Sequence, residues 1–473
     1  MKKYDLIVIG GGAGGLTVAA GGGMMGGKVA LIERDRLGGD CLWHGCVPSK
    51  AFIEGSKIIH YGKKSTELGL NISGDVHIDK ILGRVNKSIK RIEEHDSVEV
   101  FKKLGVDVYL GTGSFKNKNE VLIDDKESIY GKRIIIAAGS SPKIPEDFLK
   151  SDIEYYTNET IFQLKEKPKS LLIVGCGPIG LELAQSFNRI GSHVHIIQRG
   201  KEILKKEDRD IAHGIFRILT SEGVNIYTET TIKDLKKENS VIGVTLKQKE
   251  KEINLTVDGV LVAVGRKNNL DGLKLEQAGI QNNGRFIPVN KYLQTNIKNI
   301  YAIGDINGQY PFTHVANYEG KIAVSNALLG FKRKTNYDNV PWVTYTDPEI
   351  FHLGLREEDA VRRFGDNINI YKLKLDEVDR FIADRDDEGF IKIITDKKGY
   401  ILGAHALGKG AGDWMQTIVF AKTFKHRIGD LYTPIYPYPT HVEALNKISS
   451  QYWKEKLAGA PSKIIEKYIK WFR

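Results

Sequence analysis

Cys41 and Cys46 stand with Leu42-Trp43-His44-Gly45 between them, and Lys50 follows four positions after the second cysteine. That spacing suits one helical turn, because positions three to five apart share a helix face. Sulfurs placed on one face can close to a disulfide and reopen to a dithiol. A lysine on the same side and a helix start nearby favour the thiolate, the reactive form. The chemistry expected of Gly38–Lys50 is therefore reversible two-electron exchange. The competing readings, a fixed structural disulfide or two inert buried thiols, leave the lysine and the helix start without a purpose.

These sulfurs need elements that hold them against a partner. Just upstream, Leu6-Ile7-Val8-Ile9 is an apolar run suited to a buried parallel strand. It runs into Gly10-Gly11-Gly12-Ala13-Gly14-Gly15, in which Gly10, Gly12 and Gly15 fit G-x-G-x-x-G. The first glycine permits the tight turn, the second lets backbone approach a pyrophosphate, and the third lets helix pack on strand. The helix N-terminus favours the anion. The next strand, Val29-Ala30-Leu31-Ile32, ends in Glu33, placed to take ribose hydroxyls. The run Gly21-Gly22-Gly23-Met24-Met25-Gly26-Gly27 predicts either an early helix end or a very close helix–sheet contact.

A second fingerprint follows the strand Leu171-Leu172-Ile173-Val174, with Gly175, Gly177 and Gly180 at the key positions. Cys176 inside that turn reads as a small filler without redox work. Two fingerprints imply two dinucleotides, a flavin and a nicotinamide, so the dithiol is expected beside a flavin. The strand Val194-His195-Ile196-Ile197 ends in Gln198-Arg199, with Lys201 beyond. An amide replaces the carboxylate that would hold an NADH ribose, and Arg199 offers a planar fork for phosphate. This favours NADPH over NADH, the alternative being that Arg199 and Lys201 are merely solvated.

The chain has 473 residues, 41% hydrophobic and 27% charged, with a net charge of +11. Its length suits two to four domains with real cores. The basic surplus fits solubility, or attraction to anionic cofactors, acidic partners or lipid. No nucleic-acid motif accompanies it. Three cysteines make no secreted disulfide framework, and one close pair points to a reducing compartment. The sequence enters a strand at once, without a signal peptide's apolar region. It has no apolar run long enough to span a membrane. The expected location is the cytoplasm.

Gly38-Gly39-Asp40-Cys41-Leu42-Trp43-His44-Gly45-Cys46-Val47-Pro48-Ser49-Lys50 resembles the active-site signature of the class I FAD-dependent pyridine nucleotide-disulfide oxidoreductases, and the resemblance extends over nearly the whole chain. Mercuric reductase, dihydrolipoamide dehydrogenase and glutathione reductase belong to that family. The resemblance implies an α/β fold with two Rossmann-like domains, for FAD and NAD(P), and an α+β dimerisation domain. The expected boundaries are 1–150 with 270–337 for FAD, 151–269 for NAD(P), 338–458 for the interface and 459–473 for a tail. It implies that Cys41 is the outer, interchange thiol and Cys46 the inner thiol beside the flavin. Lys50 would lie near the flavin N5 edge, with Glu182 as its ion-pair partner. Trp43 departs from the family's asparagine, which implies a bulkier surround for Cys41.

Further cofactor positions follow from the same resemblance. Gly39 lies in the signature, Gly113 in a turn under the cofactor, and Gly139 in the turn that returns the chain to the flavin domain. Gly265 closes the second nucleotide domain. Asp305, after Asn299-Ile300-Tyr301-Ala302-Ile303-Gly304, would take a ribitol hydroxyl. Phe312-Thr313-His314-Val315-Ala316 would run along the isoalloxazine edge, with His314 as a structural residue.

One departure bears on mechanism. Where the family carries His-Pro-Thr-x-x-Glu, this chain has Tyr438-Pro439-Thr440-His441-Val442-Glu443. Tyr438 stands at the base position, and a phenol of pKa about 10 is a poor neutral-pH base beside an imidazole of about 6.5. Mercuric reductase resembles this arrangement, though the C-terminal cysteine pair and N-terminal metal-binding domain associated with that enzyme have no counterpart here. His441 is near enough to substitute as base, or is a surface histidine. The expected protein is a homodimeric flavoenzyme without a resident metal. It would pass electrons from NAD(P)H through FAD and Cys41–Cys46 to a disulfide, metal-thiolate or metal-ion acceptor. Rival expectations are a dihydrolipoyl dehydrogenase, a membrane-surface quinone or diaphorase-type oxidoreductase, and a redox-sensing flavoprotein without turnover. Beyond Pro461, Ile464, Ile465, Tyr468, Ile469 and Phe472 form a helical stripe against Lys463, Lys467, Lys470 and Arg473. Such a helix binds anionic membrane, a partner helix, or its own protein.

Overall fold

Glycine-bounded apolar runs become the central strands. The computed structural model describes residues 1–458 and 460–473. Gly459, the first residue of the expected tail, lies outside the described residues, as do the side chains of Pro461 and Lys463. The chain forms two units, one of Met1–Arg199 with Glu229–Asn336, the other of Gly200–Thr228 with Tyr337–Arg473.

In the first unit, Val106–Leu110, Val29–Glu33, Lys3–Ile9 and Glu127–Ile136 lie side by side in parallel, and Ile300–Ala302 adds to the last. Leu6 and Val8 pack on one face of this sheet, Ile7 and Ile9 on the other. A strand covered on both faces has no polar side, hence the unbroken apolar run. A second parallel sheet sets Ser170–Val174 between His193–Ile197 and Gly259–Val262.

The glycine run near residue 22 makes a very close contact. The helix Ala13–Met24 includes Gly21, Gly22 and Gly23. A Cβ on Gly22 would lie 2.9 Å from Val29 Cγ2, and one on Gly23 would lie 2.3 Å from the Leu104 carbonyl oxygen. The helix propensity lost at these glycines is the cost of that approach. The helix Ile78–Glu93 buries Ile78, Ile81, Leu82, Val85 and Ile89, which lie along one stripe at helical spacing. Ile92, in a last turn flanked by Lys90, Arg91 and Glu93, is 40% exposed.

The second unit is built on an antiparallel sheet ordered Pro341–Thr344, Glu349–Gly354, Ile401–Gly408, Phe390–Asp396, Ile368–Lys374. Its register sets His405 opposite both His352 and Lys392. Three polar side chains thus meet inside a core. The segment before and into the helix Arg209–Ser221 supplies acids to Lys392 and His352, while His405 Nε2 lies 2.9 Å from Leu355 O. Lys392 Nζ reaches Asp208 Oδ1 at 2.7 Å, Asp210 Oδ2 at 2.8 Å and Glu357 Oε2 at 2.6 Å. Three carboxylates so close would otherwise suit a metal ion, and the ammonium takes that place. His352 Nδ1 lies 3.0 Å from Glu207 Oε2, while Trp342 stacks on the His352 ring and donates to Glu207 Oε1. Burial disfavours the charged form of Asp210, but the ammonium groups of Lys392 and Lys372 outweigh it and hold the carboxyl at about 2.

Removing the Lys392 ammonium leaves the buried Asp208 carboxylate uncompensated. Lys392→Met should lower stability by about 3–5 kcal/mol, the scale of breaking a buried ion pair from one side. Thermal denaturation at neutral pH measures it. The Asp210 contribution is complete above its unfolded pKa of about 4 and is lost as pH falls towards about 2, so the deficit should shrink in acid.

Candidate active site

The two glycine loops solve the same steric problem in the same way. Gly10 has φ +108 and Gly175 φ +114, a region L side chains rarely adopt. A Cβ would meet the carbonyl oxygen of Ala137 at 2.3 Å in the first loop and that of Ala263 at 2.5 Å in the second. At the third glycines, a Cβ on Gly15 would lie 1.8 Å from Gly10 O, and one on Gly180 would lie 1.9 Å from Gly175 O. The middle glycines differ: a Cβ on Gly12 meets only Gly39 Cα at 3.9 Å, and one on Gly177 meets nothing within 4 Å. The loops are closed on the protein side and open where a pyrophosphate would approach, so both cradles fit a dinucleotide.

Their acid positions diverge. Glu33 Oε2 accepts from the Gly11 N–H at 2.6 Å, and Oε1 accepts from the Asp35 N–H at 2.9 Å. In the second loop Gln198 Oε1 takes the corresponding bond from the Cys176 N–H at 3.4 Å, with the exposed Arg199 beside it. Cys176 is buried, and burial pushes its thiol up to about 12, which makes it inert.

The redox stretch is fastened to the first loop through backbone. Gly38 N–H donates to Gly11 O at 2.9 Å, and a Cβ on Gly39 would lie 2.6 Å from Gly12 Cα. The single continuous turn expected for Cys41 and Cys46 is not what forms. A short helix, Gly39–Trp43, carries Cys41, the chain breaks at His44-Gly45, and Cys46 begins the long helix Cys46–Lys64. Gly45, with φ −112 and ψ −106, leaves the helical region at that break, and its N–H donates to Asp40 O at 2.6 Å. Trp43 is held by the chain just before the signature. Its indole donates to Leu37 O at 2.8 Å and lies under the Arg36 guanidinium.

Both cysteines stand as free thiols in hydrogen-bond contact. Cys46 lies accessible to solvent although protein surrounds its sulfur densely. Its thiol is drawn down to about 6, first by the hydrogen bond from Cys41, with Thr313 and the Lys50 ammonium adding to it against burial. Thr313 Oγ1 is 3.5 Å from the Cys46 sulfur. Cys41 moves the other way, far above the ordinary thiol range, because its S–H serves Cys46 and because it is buried. Lys50, one turn along the same helix, donates to Glu182 Oε2 at 2.9 Å, and Glu182 is buried.

Asp305 accepts from Ser140 Oγ, and Arg266 links this corner to the thiols: Nε donates to Ser140 Oγ at 2.6 Å and Nη2 lies 3.2 Å from Asp40 Oδ2. Gly139 and Gly265 are left-handed turns, at φ +64 and φ +124, whose Cβ positions are clear. Gly113 instead is buried against Ile9 and Ile32, and Ala316 packs on Gly14. Arg266 and Ser140 were not among the expected site residues, and Thr313 and Asp40 were expected only as members of longer stretches. Asp40 directly precedes Cys41 and Arg266 follows Gly265, but their convergence is a tertiary fact.

Tyr438, His441 and Glu443 belong to the second unit. They form no shared hydrogen bond. Tyr438, 71% exposed, donates to Asp379 Oδ2 at 2.9 Å, which raises its phenol above the ordinary value. His441 Nε2 sits 3.0 Å from Asp384 Oδ2 with its ring against Phe381. Residues 438–442 are not helical, and the helix begins at Glu443, where Lys447 lies 3.7 Å from its carboxylate.

Comparison with known proteins agrees with this geometry. Residues 4–320 match the family Pyridine nucleotide-disulphide oxidoreductase, and residues 340–448 match that family's dimerisation domain. The chain belongs to this family. It is 33% identical to the mercuric reductase of Bacillus cereus over 445 residues, 93% of this chain and 70% of that enzyme. It is 38% identical to a dihydrolipoyl dehydrogenase of Acholeplasma laidlawii, over 71% of this chain and 99% of that protein. The HOCl-induced flavoprotein disulfide reductase RclA of Escherichia coli, solved as a Cu(II) complex, superposes with a TM-score of 0.85 at 28% identity, covering 95% of this chain and 100% of that one. The chain is thus a flavoprotein oxidoreductase of the disulfide reductase type. Its family implies FAD and NAD(P), and its dimerisation domain supports a homodimer. None of the helices among the described residues is long and apolar enough to cross a membrane.

The split between the two thiols is measurable. Alkylation of the reduced protein, mapped by peptide, should label Cys46 with a midpoint near about pH 6 and leave Cys176 unlabelled until strongly alkaline pH. A Cys46 midpoint at the ordinary thiol value of about 8.5 would contradict the assigned thiolate.

Proposed function

We propose that this enzyme draws electrons from NADPH and delivers them through Cys46 and Cys41 to a thiol-reactive acceptor: a metal ion, a metal thiolate or a disulfide. One observation carries this reading. The two sulfurs share a hydrogen bond at a helix start, with Cys46 lowered to about 6 and Cys41 raised. FAD supplies the two-electron relay between nicotinamide and thiols when bound. Cys46 is the inner thiol, kept as thiolate by Cys41, Thr313 and Lys50, and Glu182 fixes that lysine. Cys41 is the outer thiol that meets the acceptor. When the pair closes to a disulfide it releases two electrons and the proton that Cys41 carried. A divalent metal ion takes the electrons alone, whereas a disulfide acceptor takes the electrons and two protons to become two thiols.

Tyr438 weights this choice towards the metal acceptors. A disulfide acceptor needs a group that moves protons at neutral pH, and a phenol raised by its bond to Asp379 holds its proton there. A metal ion bound by thiolates makes no such demand. In this reading Tyr438, His441 and Glu443 are assigned to the acceptor end of the reaction because they stand where the family carries its base motif.

Gly10, Gly12, Gly15, Glu33, Gly39, Gly113, Gly139, Asp305 and Ala316 are assigned to FAD. Gly175, Gly177, Gly180, Arg199 and Gly265 are assigned to the nicotinamide dinucleotide. The corresponding domains are 1–150 with 270–337, 151–269, and 338–458. Support for NADPH comes from the contrast between the loops, where Glu33 holds a backbone N–H that Gln198 holds in its counterpart, with Arg199 next in sequence.

Cys41→Ser and Cys46→Ser should each cut mercuric-ion and disulfide turnover by about a thousandfold or more, as loss of a nucleophile does, while NADPH still bleaches the flavin. Full turnover in Cys41→Ser with a quinone alone would support the diaphorase alternative instead. Separately, Gln198→Glu should move the ratio of kcat/KM for NADPH over NADH by about tenfold towards NADH, the worth of one hydrogen bond to a charged group.

A further inference from the structure

The helix Ala460–Phe472 lies beyond both stretches matched by the family, the second of which ends at residue 448. Ile464, Ile465, Tyr468, Ile469, Trp471 and Phe472 are 43–78% exposed. The rings of Tyr468, Trp471 and Phe472 contact one another, with Tyr468 4.7 Å from Phe472 and Trp471 5.1 Å from Phe472. At about 100° per residue these six side chains cover an arc of roughly 160°. Lys467, Lys470 and Arg473 occupy the opposite face against the single carboxylate of Glu466.

We propose that this helix seats the enzyme on an anionic lipid bilayer, lying in the plane of the surface. Width and charge together select this occupant. A helix partner asks for a narrow seam, whereas an interfacial helix sinks a broad apolar face and keeps a cationic face at the headgroups. Two copies packed through this face would bring their cationic rims together. Tyr468 and Trp471 suit the headgroup level, where an apolar ring with a polar edge is favoured. Thirteen residues rise only about 20 Å, short of the roughly 30 Å hydrocarbon core, so the helix lies on the membrane and does not span it. The net charge of +11 adds a long-range attraction to the same surface. This inference does not depend on the proposed reaction.

Flotation of the full-length holoenzyme with vesicles tests it. The enzyme should float with phosphatidylcholine vesicles doped with phosphatidylglycerol, stay behind with phosphatidylcholine alone, and be released by salt. A chain ending at Ala458, and the full chain carrying Ile465→Glu with Ile469→Glu, should each lose about tenfold or more of the floated fraction. Lys467→Glu with Lys470→Glu should lose the preference for phosphatidylglycerol. NADPH oxidation in solution should be unchanged in all three, because none of these residues belongs to the catalytic or cofactor-binding set. Three results would overturn the proposal: flotation by the shortened chain equal to that of the full one, no flotation with either vesicle, or a larger oligomer of the full chain that the shortened chain does not form.

Discussion

Backbone lies on backbone where Gly38 and Gly39 meet Gly11 and Gly12, and the catalytic stretch depends on that contact. The Gly38 N–H reaches Gly11 O at 2.9 Å, and no side chain fits between Gly39 and Gly12. The loop that cradles a pyrophosphate is therefore also the base on which the first cysteine rests. Two turns at positive φ, Gly38 at +99 and Gly39 at +58, bring the chain back within van der Waals distance of its own fingerprint. The distance from cradle to sulfur is set by hydrogen bonds rather than by adjustable side chains, which suits a site that must exchange electrons across a fixed gap.

The break at His44-Gly45 gives the two sulfurs different surroundings. Were they on one helix, they would share one field. As built, Cys46 begins a helix of nineteen residues and meets its positive end, Thr313 and Lys50, while Cys41 sits in the preceding short helix beside Asp40. The same thiol chemistry is thereby divided into a proton donor and a thiolate. Arg266 ties Asp40 to Ser140, which donates to Asp305, so the outer thiol's neighbour and the residue assigned to ribitol belong to one network.

Much of this was legible in the sequence, for a definable reason. Glycine at a position where a Cβ would strike a carbonyl cannot be replaced, so Gly10, Gly15, Gly175 and Gly180 announce their loops without any structure. Buried parallel strands declare themselves likewise, since Leu6–Ile9 has no face left for polarity. What spacing cannot carry is convergence. Lys392, His352 and His405 read as ordinary polar punctuation in three strands. Only the register that aligns them, with Asp208 arriving from nearly two hundred residues away, turns them into a buried ionic core. Arg266 escaped for the same cause. Local periodicity also misjudged the cysteine stretch, where Gly45 breaks the turn that the spacing suggested.

On the proposed reading, Tyr438 bears on what the thiol pair does. In the family pattern an imidazole shares the proton of the outer thiol, and here a phenol occupies that position with its proton committed to Asp379. The imidazole of His441 is bonded to Asp384 and packed on Phe381. Within the first unit, the Cys41 thiol is hydrogen-bonded to the Cys46 sulfur. On the proposed reading, that arrangement suits an acceptor that displaces a proton on binding sulfur and needs none returned. A thiophilic cation does so, because its affinity for thiolate drives deprotonation directly. An acceptor disulfide must be handed protons as it leaves, and a phenol raised above its ordinary value is a poorer neutral-pH proton shuttle than the imidazole of the family pattern.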